Sequence, residues 1–142
     1  MKKLAVLVIM ISGATIVHAQ KIQQAKVPAS VQTTFKTQFP EAKKVKWEKE
    51  KDNFEAEFQS NGIAYSVLFG GGGDIIEKEV PIKVNTLSTS IKQFITDKYP
   101  DQKIKEAAKI TDSKGVMTYE AEVDGKDLIF DMNGKFLKEI KD

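Results

Sequence analysis

The sequence predicts an α+β protein built from two tandem repeats, each one helix followed by a four-stranded antiparallel meander, with the helices packed on one face of a combined sheet. Three observations predict it. A stripe of apolar residues at every fourth position occurs twice, sixty positions apart. Each stripe is followed by short runs in which apolar and polar residues alternate. Between those runs stand Asn-Gly and Asp-Gly pairs, the strongest short-range sign of a tight hairpin.

The chain opens with MKKLAVLVIMISGATIVHAQ. Lys2 and Lys3 form a positive start, Leu4 to Val17 an apolar core of 14 residues, and Val17-His18-Ala19 a small-residue cleavage site. These are the three parts of a secretory signal peptide. Residues 1–19 are therefore expected to be cut after Ala19, leaving a periplasmic or secreted protein with no stable membrane anchor. A membrane span needs roughly 20 apolar residues, and this core is shorter and holds Ser12, Gly13 and Thr15. No cysteine follows it, so no lipoprotein is expected. Residues 20–26 read as a disordered leader.

The duplicated domain then covers residues 27–142. In the first copy (27–80) Val27, Val31, Phe35 and Phe39 line one helix face; in the second (87–142) Leu87, Ile91, Ile95 and Tyr99 do so. Phe39-Pro40 and Tyr99-Pro100 end the helices, because proline forces the preceding residue out of the helical region. Strands are expected at 43–50, 53–60, 63–69 and 74–80, then at 103–110, 116–123, 126–131 and 135–140. Residues 81–86 (PIKVNT) are expected to link the halves. Asn61-Gly62 matches Asp124-Gly125, and Phe54-Glu-Ala-Glu-Phe58 matches Tyr119-Glu-Ala-Glu-Val123. Lys44-Val45-Lys46 is aligned with Lys103-Ile104-Lys105. That places Glu106 where Trp47 stands, so a register slip or an edge strand is expected there.

Strand side chains alternate between faces. Val45, Trp47, Phe54, Ala56, Phe58, Tyr65, Val67 and Phe69 should meet the first helix. The opposite face should carry Lys44, Lys46, Glu48, Glu55, Glu57, Ser66 and Leu68, and in the second copy Lys105, Glu120, Glu122 and Ile129. Lysines and acids are expected to alternate there between neighbouring strands, which suits cross-strand pairing. This open face is the candidate binding surface.

Composition narrows the chemistry. All 22 basic residues are lysine, there is no cysteine, and the one histidine is His18 in the signal. After cleavage no His, Arg or Cys remains. That excludes imidazole bases, Ser-His-Asp and Cys-His nucleophiles, His/Cys zinc sites, disulfides and arginine clamps. Removing residues 1–19 takes away Lys2 and Lys3, leaving 123 residues in which 20 lysines balance 20 acids. Such a chain carries no electrostatic footprint for nucleic acid.

Paired carboxylates are the only catalytic raw material; Glu55/Glu57 and Glu120/Glu122 each place two acids on one strand face in the manner of a glycosidase couple, and they read as a solvated face lacking the burial a general acid needs. Asp131-Met-Asn133-Gly134 lacks the remaining ligands of a calcium loop and reads as a hairpin turn. Gly70 to Gly73 is followed by neither Gly-Lys-Ser/Thr nor a helix, so it reads as a flexible loop rather than a phosphate cradle. Trp47 is expected in the core, with an interface anchor as its other reading. No metal or cofactor is expected, and the protein is not expected to be an enzyme.

With these motifs in view, the chain resembles the bacterial PepSY-like family of β-lactamase-inhibitor-like proteins over almost the whole of residues 20–142. The resemblance implies an exported protein of two helix-plus-sheet units, similar in architecture to β-lactamase inhibitory protein, whose open sheet face grips its enzyme. It supplies no catalytic residues. Gly70 to Gly73 departs from the family pattern, where an Asp-containing turn is usual. The function expected is a non-enzymatic module that recognises an unidentified protein or peptide of the cell envelope. The alternatives are an inhibitor or regulator of an exported hydrolase (a protease or a β-lactamase) and, more distantly, a carboxylate-dependent glycan hydrolase.

Overall fold

The computed structural model describes residues 19–141, so the expected signal segment lies outside the described residues except for Ala19. Two compact units meet between Lys78 and Glu79. The first contains β1 (Gln20–Ile22), a 3₁₀ turn (Gln24–Lys26), α1 (Ala29–Gln38), β2 (Lys43–Glu50), β3 (Asn53–Ser60), β4 (Ile63–Gly70) and the first half of β5 (Ile75–Ile82). The second contains the rest of β5, a 3₁₀ turn (Val84–Thr86), α2 (Thr89–Lys98), β6 (Ile104–Asp112), β7 (Met117–Val123), β8 (Lys126–Asp131) and β9 (Phe136–Lys141). The nine strands follow one another in chain order. Within each unit the pairing is antiparallel. The α+β class and the duplication are as expected.

In the first unit the four-residue stripe of α1 sets the core. Val27, Val31 and Phe35 pack with Trp47, Phe54, Ala56, Phe58, Val67 and Phe69, and Phe39 closes one end. Phe35 stands at the centre. Its ring meets Trp47 and Phe58 edge-on, each at 5.1 Å, and Phe69 at 6.3 Å. Such edge contacts are worth about 0.5–1.5 kcal/mol each beyond the area they bury. Trp47 is 4% exposed, so it is a core residue. Its indole N–H has no partner among the described residues, a cost the surrounding rings must offset.

The second unit keeps the plan and changes the filling. Leu87, Ile91 and Ile95 pack with Ala107, Ala121, Val123, Leu128 and Phe130. The small Ala107 replaces an aromatic ring, and volume returns from the flank of α2, where Phe94 stacks on Phe136 at 4.7 Å. Ser88 caps α2, its hydroxyl accepting the Ile91 N–H at 3.3 Å. At the other end the Tyr99 hydroxyl donates to Glu139, which also draws Lys98 to 3.4 Å.

Residues 20–26 are not a disordered leader. Gln20, Lys21 and Ile22 pair with Lys49, Glu48 and Trp47 of β2, and Ile22 packs on the first core. The 3₁₀ turn that follows is tied to α1 by Gln32, whose amide donates to the carbonyls of Gln24 at 3.0 Å and Val27 at 2.9 Å. The same arrangement recurs sixty residues later. Ile82 packs on the second core, the turn Val84–Thr86 follows, and Lys92 donates to the Asn85 carbonyl at 3.0 Å. Residues 81–86, expected to link the halves, end β5 and form the turn before α2 near the start of the second unit. The repeat begins one strand earlier than the helix.

The doubt over Glu106 resolves as a register slip. β6 carries one extra residue between Ile104 and Glu106, so Ala107 pairs with Ala121 as Trp47 pairs with Ala56. The spacing of sixty thus continues into β6, and the Lys-Val-Lys alignment was one residue out of phase. A similar irregularity lies in β2 between Lys43 and Lys46, where Lys44 has φ 54°.

Gly70 to Gly73 forms an ordered turn. The Gly70 N–H donates to the Asp74 carbonyl, the Gly73 N–H to that of Gly70, and Ser30 Oγ of α1 donates to the Gly71 carbonyl at 2.9 Å. Gly73 has φ +93°, and a Cβ there would lie 2.7 Å from the Ser30 carbonyl oxygen. In the matching turn, a Cβ at Gly134 (φ +81°) would meet the side chains of Ser90 and Ser88, and the nearest atom, the Ser90 hydroxyl, can rotate away.

Two outcomes are expected. Deleting residues 20–26 from a chain of residues 20–142 should lower the urea midpoint of the first unit, read by Trp47 fluorescence; an unchanged midpoint would show that β1 does not contribute. Gly73→Ala should cost about 1–3 kcal/mol, and more than Gly134→Ala, in the same denaturation assay.

Candidate functional site

Each unit has a strand face turned away from its helix, and the register fixes which residues share it. In the first unit Lys46 stands opposite Glu57, which stands opposite Ser66; the next row runs Glu48, Glu55, Leu68. In the second unit the matching rows are Glu106, Glu122, Asp127 and Ala108, Glu120, Ile129. The residues expected on this face are therefore brought into two rows per unit. The exceptions are Lys44 and Lys105, which lie at the irregular starts of β2 and β6.

The face is less open than alternation alone suggests. Glu55 is 3% exposed, Leu68 1% and Ile129 5%. Glu48, Glu57, Ser66, Glu120 and Glu122 are half-buried, whereas Lys44, Lys46 and Lys105 are exposed. The accessible charge thus comes mainly from the lysines, from Glu48 and Glu57, and from Glu106, Glu120 and Glu122.

Charge does not simply alternate either. Lys46 faces Glu57 as expected, but Glu48 directly faces Glu55, and Glu106 faces Glu122, which in turn faces Asp127. Like charges placed opposite each other destabilise a sheet. Lys105 relieves the second row, its Nζ standing 2.7 Å from Glu122. In the first row the relief comes from protonation. Burial pushes the Glu55 carboxyl up to about 8, and Glu50, Glu57 and Glu48 push the same way against the Ser66 hydroxyl that donates to it. Glu50 is also raised, by burial and then by Glu48.

Sequence reading missed Glu106 and the buried Asp127 on this face. Asp127 was legible, since it lies two residues before Ile129; Glu106 was hidden by the one-residue phase error. Among the described residues no group of acids could hold a metal ion, and no helix is long and apolar enough to cross a membrane.

A family model described as "Putative beta-lactamase-inhibitor-like, PepSY-like" matches residues 14–77 and again residues 67–138. The chain belongs to this family. Its double match is the duplication seen in the two units. Among solved structures, the chain is similar to one from Bacteroides eggerthii described as "putative periplasmic proteins". They share 17% identity and a TM-score of 0.71, over 80% of this chain and 87% of that one. It is also similar to a BLIP-like protein from Bacteroides fragilis, at 22% identity and a TM-score of 0.63, over 79% of this chain and 84% of that one. At such identities the likeness is one of fold. No curated protein matches the chain.

For this PepSY-like chain, Lys105→Ala should cost about 0.5 kcal/mol at low salt, an effect that shrinks as salt screens the acid row. Thermal melts at two ionic strengths check it, and a salt-independent loss would mean that Lys105 acts through packing instead.

Proposed function

We propose that the chain is a non-enzymatic module of the cell envelope that binds a protein or an extended peptide through the charged strand faces of its units. The observation that carries this reading is the mixed row Lys46–Glu57, set on the face opposite α1 and accessible beside Glu48 and Lys44. Charged groups held on strands make a rigid, patterned surface, and patterned charge confers specificity and register more than raw affinity. The signal-like segment and the "periplasmic" description of a similar structure support an envelope location.

A swap variant tests the reading. Lys46→Glu with Glu57→Lys keeps the cross-strand pair while inverting the pattern a partner meets. It should leave the melting temperature within a degree or two of wild type and abolish capture of partners from envelope extract. Equal capture by both proteins would overturn the proposal for this face.

The family description and the BLIP-like structure favour a narrower version, in which the partner is an exported hydrolase and binding regulates it. Titration of the mature protein against exported proteases and β-lactamases distinguishes this version, and full enzyme activity at micromolar excess would sink it. A glycan hydrolase is a weaker reading. A carboxyl raised to about 8 suits a general acid. Glu55, however, is 3% exposed and turned onto Ser66, which leaves no approach for a glycosidic oxygen.

A further inference from the structure

We infer that Glu55 makes the first unit proton-responsive: the unit is held tight while this carboxyl carries its proton and loosens as the carboxyl ionises. The inference does not depend on any partner. Glu55 sits mid-strand on β3, 3% exposed, on the face away from α1. From β2 the facing groups are Glu48, directly opposite, and Glu50; Lys46 stands opposite Glu57 instead. β4 offers no charge, only Leu68 opposite Glu55 and the Ser66 hydroxyl that donates to it. On β3 itself the near charge is Glu57. The charges acting on Glu55 are thus all acidic, and one hydroxyl donor is a poor substitute for the hydration a buried carboxylate gives up.

In the second unit the matching residue is Glu120. It is half-buried and lies between Ala108 and Ile129, with no acid opposite on either strand. In the second unit Glu139 behaves in the opposite sense: the Tyr99 hydroxyl, then Lys126 and Lys98, hold it below the usual carboxylate value. Glu55 and Glu139 therefore carry proton linkage of opposite sign.

The sign follows from the shifts. For Glu55 the folded value, about 8, lies above the ordinary 4.5. Its stabilisation is complete below pH 4.5 and is lost as pH rises through 8. For Glu139 the folded value is depressed, so its contribution is present above the ordinary value and is lost on acidification.

The fold provides its own probe. Trp47 is the only tryptophan and lies in the first core, so its fluorescence follows that unit alone. Urea denaturation of the full processed chain, run at steps from pH 5 to pH 9, should show a Trp47-detected midpoint that falls with rising pH. In Glu55→Gln that fall should vanish, and at pH 8–9 the variant should outlast wild type. Parallel falls in both proteins, or a variant weaker than wild type at pH 9, would overturn the inference. Should Glu55→Gln not fold, carboxyl carbon NMR of wild type decides directly. A Glu55 resonance that titrates near pH 8, and moves to lower pH in Glu48→Gln, upholds it; titration in the ordinary carboxylate range overturns it.

Discussion

Each helix can bury its four-residue stripe only if the strands beneath it keep their apolar sides in phase. Everything else in the two units follows from that constraint. Phe35 finds Trp47, Phe58 and Phe69 because β2, β3 and β4 present those rings on one side of the pleat. A slip of one residue would turn every ring to the other face and bring the acids under the helix. The irregular starts of β2 and β6 are where the chain corrects its phase, and Val45 and Ile104 pack beside the cores at those points.

The same constraint creates the charged face. Whatever is not beneath the helix is committed to the opposite side, including groups that would not choose each other as neighbours. Glu48 faces Glu55, and Glu122 stands between Glu106 and Asp127, because the rings and alanines between them have the stronger claim on register. The units relieve this repulsion differently. The second recruits Lys105 from the irregular start of β6. The first keeps a carboxyl neutral. One relief costs a flexible side chain some freedom, and the other makes stability depend on the medium.

Much of this was legible in the sequence, for reasons of period. The strands at 43–50 and 53–60 declare themselves by strict alternation between turn signals, and both helices by a stripe ended at an aromatic-proline pair. Residues 20–26 were not legible by pattern, since three residues of strand and a single 3₁₀ turn carry no period of their own. Only their likeness to residues 80–86 reveals them, and Ile22 with Ile82 is its clearest sign. Alternation gave the correct face for Glu55, Leu68 and Ile129 but not their burial. Side-chain direction is a local property, whereas exposure depends on the whole fold. The β6 phase was lost because Lys-Ile-Lys looks like Lys-Val-Lys, a match of residue types that the pairing of Ala107 with Ala121 overrules.

The placement of β5 bears on how such proteins can be cut and lengthened. One continuous strand finishes the first unit with Ile75–Lys78 and opens the second with Glu79–Ile82. A fragment begun at the second helix would lack Ile82 and the turn that seats α2, so a self-sufficient second unit starts at Glu79. By the same logic, an array of these units grows by inserting sixty-residue segments that begin and end inside a strand. Such a join keeps the backbone hydrogen bonding of the strand unbroken and needs no new linker. Duplication of this fold then joins copies inside a strand rather than in a loop.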